Sequence, residues 1–149
     1  MITEGLKLRG DLDIVLRDKD GNIKTQRREE NLVVSAGLNF ICDRMEGVAE
    51  AVMSHMAVGS GATAPAAGNT ALETQLGARE ALDSTTVSSN TITYVASFEA
   101  GDGTGAVTEA GLFNAATGGT MLCRTTFDVV NKAADDTLQI TWVITLTAS

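Results

Sequence analysis

Residues 137–147, TLQITWVITLT, place an apolar side chain at every second position: Leu138, Ile140, Trp142, Ile144 and Leu146, separated by Gln139, Thr141, Val143 and Thr145. A period of two gives a β-strand one buried and one outer face, whereas a helix would scatter the same residues around its surface. A strand this long needs neighbours to pair with and an opposing layer to cover its apolar side. The rest of the chain supplies signals for both. TITYVASFE at 91–99 shares Ile92, Tyr94, Ala96 and Phe98 on one face, VTEAGLF at 107–113 and MLCRTTF at 121–127 flank an ATGGT turn, and Thr85–Val87 precede a turn at Ser88, Ser89 and Asn90. GDGTG at 101–105 is a further turn.

Nearer the N-terminus, LKLRGDLDIVLR at 6–17 alternates Leu12, Ile14 and Leu16 against Asp11, Asp13 and Arg17. DKDGN at 18–22 carries turn residues around Asp20-Gly21, and Ile23–Arg28 returns as a polar strand, so residues 1–30 read as a charged β-hairpin. One helix is expected, at about 35–46, capped by Ser35 and burying Leu38, Ile41, Cys42 and Met45. Gly47 would stop it, with Val48–Met53 as a further helical turn in the alternative reading. HMAVG at 55–59 reads as a short buried strand, SGATAPAAGNT at 60–70 as a surface loop, and ALETQLG as a brief helix capped by Thr70. Seven or eight strands joined by short turns predict a mainly β single domain over 1–149, an antiparallel sandwich or jelly-roll-like fold. The 149 residues suffice for one self-supporting core.

Charge narrows the partners. Residues 1–30 hold seven basic and seven acidic side chains; the remaining residues hold four and twelve, which accounts for the net −8. Nucleic-acid affinity comes from clustered Lys and Arg, so direct DNA or RNA binding is not expected. No run of about 18 apolar residues marks a membrane span, and MITEGLKLRG lacks the apolar stretch of a signal peptide, so the chain is expected to stay in the cytoplasm where it is made. Cys42 and Cys123 form no CxxC pair; they could join in one disulfide, but two thiols buried as small hydrophobes are the more economical reading.

The residues on which chemistry would have to rest each have a plainer explanation. His55 is the one histidine on which a nucleophile-base arrangement could rest, yet Met56 and Val58 beside it suit a core-edge position. Asp18, Asp20, Asn22 and Glu29 fall at spacings like those of an EF-hand loop, but Ile23 stands where that loop needs Gly, and a hairpin turn accounts for them without calcium. Asp83, Glu99, Asp102 and Glu109 would be needed for a hydrolytic carboxylate pair, a choice almost any acidic protein offers. The glycine-rich stretches at 59–68 and 101–105 lack the GK[ST] or GxGxxG that a phosphate loop requires. The six aromatic residues fall mostly on inward positions, leaving no stacking platform. The expectation is therefore a non-enzyme with no catalytic residues, no metal and no cofactor.

Three pieces taken together, NLVVSAGLNFICDRM at 31–45, HMAVGSGATAP at 55–65 with LETQLGARE at 72–80, and VTEAGLFNAATGGTMLCRTTF at 107–127, resemble small structural proteins of tailed bacteriophages. The pattern is similar to the N-terminal region of tail-collar fibre proteins and to short stand-alone virion proteins. The chain ends soon after the shared region, without a fibre shaft or tip, and its size resembles that of capsid decoration (cement) proteins. That resemblance implies a virion component assembled in the host bacterial cytoplasm, a dimer or trimer whose main partner is the major capsid protein. A tail, collar or baseplate adaptor is the alternative, and a small hydrolase or carbohydrate-binding module the remote one. The mixed-charge N-terminal segment is the candidate contact; individual partner-binding residues are not defined by the sequence.

Overall fold

The computed structural model describes residues 5–148; residues 1–4 of the expected N-terminal hairpin segment lie outside that range. Nine strands and one helix follow one another as β1 (Leu6–Arg17), β2 (Ile23–Val33), α1 (Ser35–Glu46), β3 (His55–Gly59), β4 (Glu80–Ala81), β5 (Ser84–Ser88), β6 (Thr91–Phe98), β7 (Gly105–Phe113), β8 (Met121–Lys132) and β9 (Thr137–Ala148). They form one antiparallel sheet in the order β4-β3-β7-β8-β2-β1-β9-β6-β5. The mainly β, antiparallel fold with one helix is as the sequence reads, and the count is nine strands among the described residues.

The sheet curls until its two ends come together. β4 and β5 are its outermost strands, yet only Leu82 and Asp83 separate them in the chain. Leu82 N–H donates to the Ser54 carbonyl just before β3, and Asp83 N–H donates to Val95 of β6. This short segment therefore ties both ends of the sheet, giving a flattened, barrel-like sandwich. Inside it, β9 contributes Leu138, Ile140, Trp142 and Ile144, all at most 2% exposed, packed with Leu12 and Ile14 of β1, Phe98 of β6 and Val58 of β3.

β2 runs the full length to Val33, further than its hydrophobicity suggests. Register pairs Leu12, Ile14 and Leu16 with Glu29, Arg27 and Thr25, so positions that should face the core are polar. The reason is a seam. β2 and β8 share ladder pairing only at Leu32–Arg124 and Val33–Cys123. Beyond that point side chains bridge the gap: Arg27 Nη2 donates to the Val129 carbonyl at 3.2 Å, Thr125 Oγ1 to the Glu30 carbonyl at 2.8 Å, and Lys24 Nζ to Asp136 at 2.7 Å. Trp142 Nε1 reaches Asn31 Oδ1 at 2.8 Å, a contact that requires Gly10, because a Cβ there would fall inside the Asn31 side chain.

The helix occupies the expected residues but not the expected orientation. Val34 precedes it as the N-cap and Ser35 makes no side-chain cap, while Gly47 (φ 91°) ends it as expected, its N–H donating to Asp43 and Arg44. Leu38 is 48% and Met45 82% exposed, and Cys42 is exposed too; the buried side is Gly37 with the half-buried Phe40 and Ile41. Gly37 lies so close to the Leu122 carbonyl of β8 that the helix must dock there, which turns the Leu38–Cys42–Met45 stripe outward. Residues 48–53 and ALETQLG are not helical. Instead, the second segment lies along β3 through a bridge from Gln75 to Gly59 and a hydrogen bond from Leu76 N–H to the Val58 carbonyl.

The two cysteines are apart in environment, Cys42 exposed on the helix and Cys123 buried in β8 where desolvation pushes its thiol well up. The expectation that both are buried thus fails for Cys42. A disulfide-exchange reagent should modify one thiol per folded chain rapidly and the second only after denaturation. Rapid reaction of both, followed by absorbance, would contradict the burial of Cys123.

Candidate functional site

Two charged features stand out from the barrel, one on its surface and one beneath a loop. The surface feature is the outer face of the β1–β2 hairpin. Alternation in β1 turns Arg9, Asp11 and Asp13 outward, and the register brings Glu30 opposite Asp11 and Arg28 opposite Asp13. Arg9 Nε contacts Asp11 at 2.9 Å and its Nη2 reaches Glu30 at 3.2 Å, while Gln26 donates to Asp13 at 3.4 Å. The hydrogen bond that Arg9 donates to Asp11 raises its already high pKa, so the guanidinium stays charged throughout. Arg9, Asp11, Asp13, Arg28 and Glu30, with Thr141 and Val143 of β9, line an open depression of about 830 Å³. Alternating charges at such exposure contribute little to stability, so they are available to a partner.

The second feature is a buried ion pair that the sequence reading did not identify. Glu109 of β7 and Arg124 of β8 are 0% and 2% exposed, and Arg124 Nη2 lies 3.0 Å from Glu109 Oε2. Both side chains leave the sheet on the side away from the main core, under the 60–75 loop. Arg124 Nη1 donates to the Thr63 carbonyl (3.1 Å) and to Asn69 Oδ1 (3.2 Å). Glu109 accepts from the backbone N–H groups of Glu73 (3.3 Å) and Thr74 (3.2 Å). Gly61 makes room for the pair, since a Cβ there would lie 1.9 Å from Glu109 Oε2. The loop is thereby clamped to the sheet, and a small second cluster, Val34, Ala57, Phe113 and Met121, forms on the same side. This covering of both faces explains why HMAVG and MLCRT read as continuous apolar runs. The Glu inside VTEAGLF and the Arg inside MLCRT were the available signal, because a buried charge needs an opposite partner.

The other candidate residues are dispersed. His55 begins β3 between Ala81 and Phe113, half-buried, its Nδ1 2.8 Å from Ser54 Oγ. Asp18 Oδ1 accepts the N–H groups of Asp20 and Asn22, both at 2.9 Å, and Gly21 has φ 85°, the geometry of a self-contained turn. Asp83 accepts from Ser97 Oγ at 2.7 Å, Glu99 from Thr137 Oγ1 at 3.3 Å, and Asp102 is exposed in the β6–β7 turn. Glu109 is committed to Arg124. Burial, followed by the field of Asp102, raises the Glu80 carboxyl, with His55 opposing. Among the described residues no group of three His, Cys, Asp or Glu side chains is placed to hold a metal ion. Among the described residues no helix is long and apolar enough to cross a membrane.

The seam between β2 and β8 has a consequence for acid stability. Asp136, whose side chain is 5% exposed, accepts from Lys24 and from the Ala133 N–H at 2.8 Å. The Lys24 hydrogen bond holds its carboxyl below the usual range, against the opposing effect of burial, and Asp18 is lowered by the backbone N–H groups of its turn. A carboxylate depressed in the folded state contributes stability above its unfolded pKa, and that contribution is lost as pH falls through the folded value. Melting temperature should therefore be level from pH 7 to about 5 and fall below about pH 4. Asp136→Asn should melt lower at pH 7 and converge on the parent near pH 2; a constant gap across that range in thermal melts would contradict the role given to Asp136.

Compared with protein-family models, with curated proteins and with solved structures, the chain matches none.

Proposed function

We infer that this protein is a structural component of a tailed-phage virion, a decoration protein that cements the head lattice. The observation that carries this reading is the placement of the resembling segments. NLVVSAGLNFICDRM forms the end of β2 and α1, HMAVG is β3, and VTEAGLF and MLCRTTF are β7 and β8, so the pieces are neighbours in one half of the barrel. LETQLGARE lies along the same half and is held by Glu109. Pieces that are each weak in sequence thus form one scaffold, in which the Glu109–Arg124 pair joins the 60–75 loop to β7 and β8.

The β1–β2 hairpin precedes that scaffold in the chain and presents the interleaved charges of Arg9, Asp11, Asp13, Arg28 and Glu30. Pairs of this kind are individually worth about 0–1 kcal/mol. On a lattice that repeats the contact hundreds of times, and with each copy touching more than one capsomer, modest contacts become firm through effective concentration. No catalysis is required. The reading predicts that purified protein added to empty heads of its own phage saturates at a copy number near that of the major capsid protein. Binding should weaken as salt is raised, because exposed charges are screened. Failure to bind the heads, measured by co-sedimentation, would remove the cement role, and saturation at six or twelve copies at one vertex would replace it with that of an adaptor.

A further inference from the structure

The two ends of the curled sheet are finished in opposite ways. β4 is two residues long and carries Glu80, the short, charged edge by which sheets avoid pairing with other chains. β5 is five residues, Ser84–Ser88, all exposed, with neither charge nor proline. Its register with β6, Ser88 opposite Thr91 across a two-residue turn, makes Ser88, Thr86 and Ser84 the residues that bond back to β6. The alternation then turns the N–H and C=O groups of Thr85 and Val87 away from the sheet. Val87 is 68% exposed as well, so both the edge and its inner side chain are unpartnered.

We propose that β5 is the self-association edge of the protein, pairing antiparallel with β5 of a second copy about a two-fold axis through Thr86. The segment is close to palindromic, S-T-T-V-S. With Thr86 facing Thr86 of the other copy, Ser84 lies opposite Ser88 and Thr85 opposite Val87. Thr85 and Val87 are the two residues with outward backbone groups, and in this register each meets the other, giving four new hydrogen bonds with none left over. A different register would leave some unpaired. Charge favours the same occupant: the chain is net −8, and an uncharged edge is where two acidic copies approach at least cost. An isologous pair of this kind closes on itself and leaves free only the two-residue, charged β4 edge of each copy. The interface is small beside the roughly 1,600 Å² of a standard complex, so the free dimer is weak and is favoured by the crowding of copies on a surface. The proposal stands on the edge geometry and does not depend on the virion reading.

Sedimentation equilibrium from about 10 µM to about 1 mM tests it, covering the affinities expected of a weak pair. A monomer–dimer equilibrium is expected, tightening with added salt as the acidic bodies are screened. Thr86→Lys puts two like charges face to face at an exposed position and should raise the dissociation constant at least tenfold, while Thr86→Val should leave it equal or lower. The Thr85 and Val87 amides should gain protection from hydrogen exchange at high concentration. Monomer at every concentration, a trimer, a dimer unaffected by Thr86→Lys, or unprotected Thr85 and Val87 amides would each overturn the proposal.

Discussion

Arg124→Met is expected to destabilise the protein by about 3–5 kcal/mol, the cost of leaving one member of a buried ion pair without its partner. For a chain of this length that corresponds to a fall in melting temperature of roughly 10 °C or more. Glu109 would retain two backbone donors, Glu73 and Thr74, but would lose the guanidinium that neutralises it. Thr63 and Asn69 would lose their contact with the sheet at the same time, so limited proteolysis should cut within 60–75 before the rest of the chain unfolds. The double variant Glu109→Gln/Arg124→Met separates charge from packing. Neutral Gln keeps acceptor capacity for the backbone donors, and the pair of changes should recover more than half of the loss in urea unfolding. If single and double variants were equally unstable, the clamp would owe its strength to shape and not to charge.

Gly37→Ala is expected to destabilise by about 2 kcal/mol, although Gly to Ala at an exposed helical position stabilises by about 1 kcal/mol. The sign reverses because the added Cβ would lie 2.1 Å from the Leu122 carbonyl oxygen, and backbone cannot rotate aside as a side chain can. The helix would have to lift from β8, loosening Phe40 and Ile41 from the core. Thermal and urea unfolding check this directly. A variant more stable than the parent would mean that the helix is not docked through Gly37.

The same glycine shows where sequence reasoning reached and where it stopped. β9 was legible because five apolar residues at a period of two admit one arrangement, and the β1–β2 turn because Asp18 and Gly21 supply the side-chain acceptor and the positive φ. The span of the helix was legible from Gly47. Its orientation was not: Leu38, Cys42 and Met45 are apolar at helical spacing, but closeness of approach is set by the absence of a side chain at Gly37, which hydrophobic periodicity does not weigh. The polar inner face of β2 concealed the rest of that strand, because its partners across the seam come from β8 and from Asp136, about a hundred residues away in the chain. The Glu109–Arg124 pair was hidden for a similar reason. Each residue is ordinary in its own strand, and only the β7–β8 register, which sets Gly111 opposite Arg124, brings them together.

The proposed function rests on segments that resemble phage structural proteins and that the fold gathers into one half of the barrel. Counting the protein's copies in purified particles of the phage that the proposal implies, by quantitative mass spectrometry with imaging of its position, tests that claim most directly. A signal distributed over the head at close to the number of major capsid subunits is expected. Complete absence from the particle would contradict it.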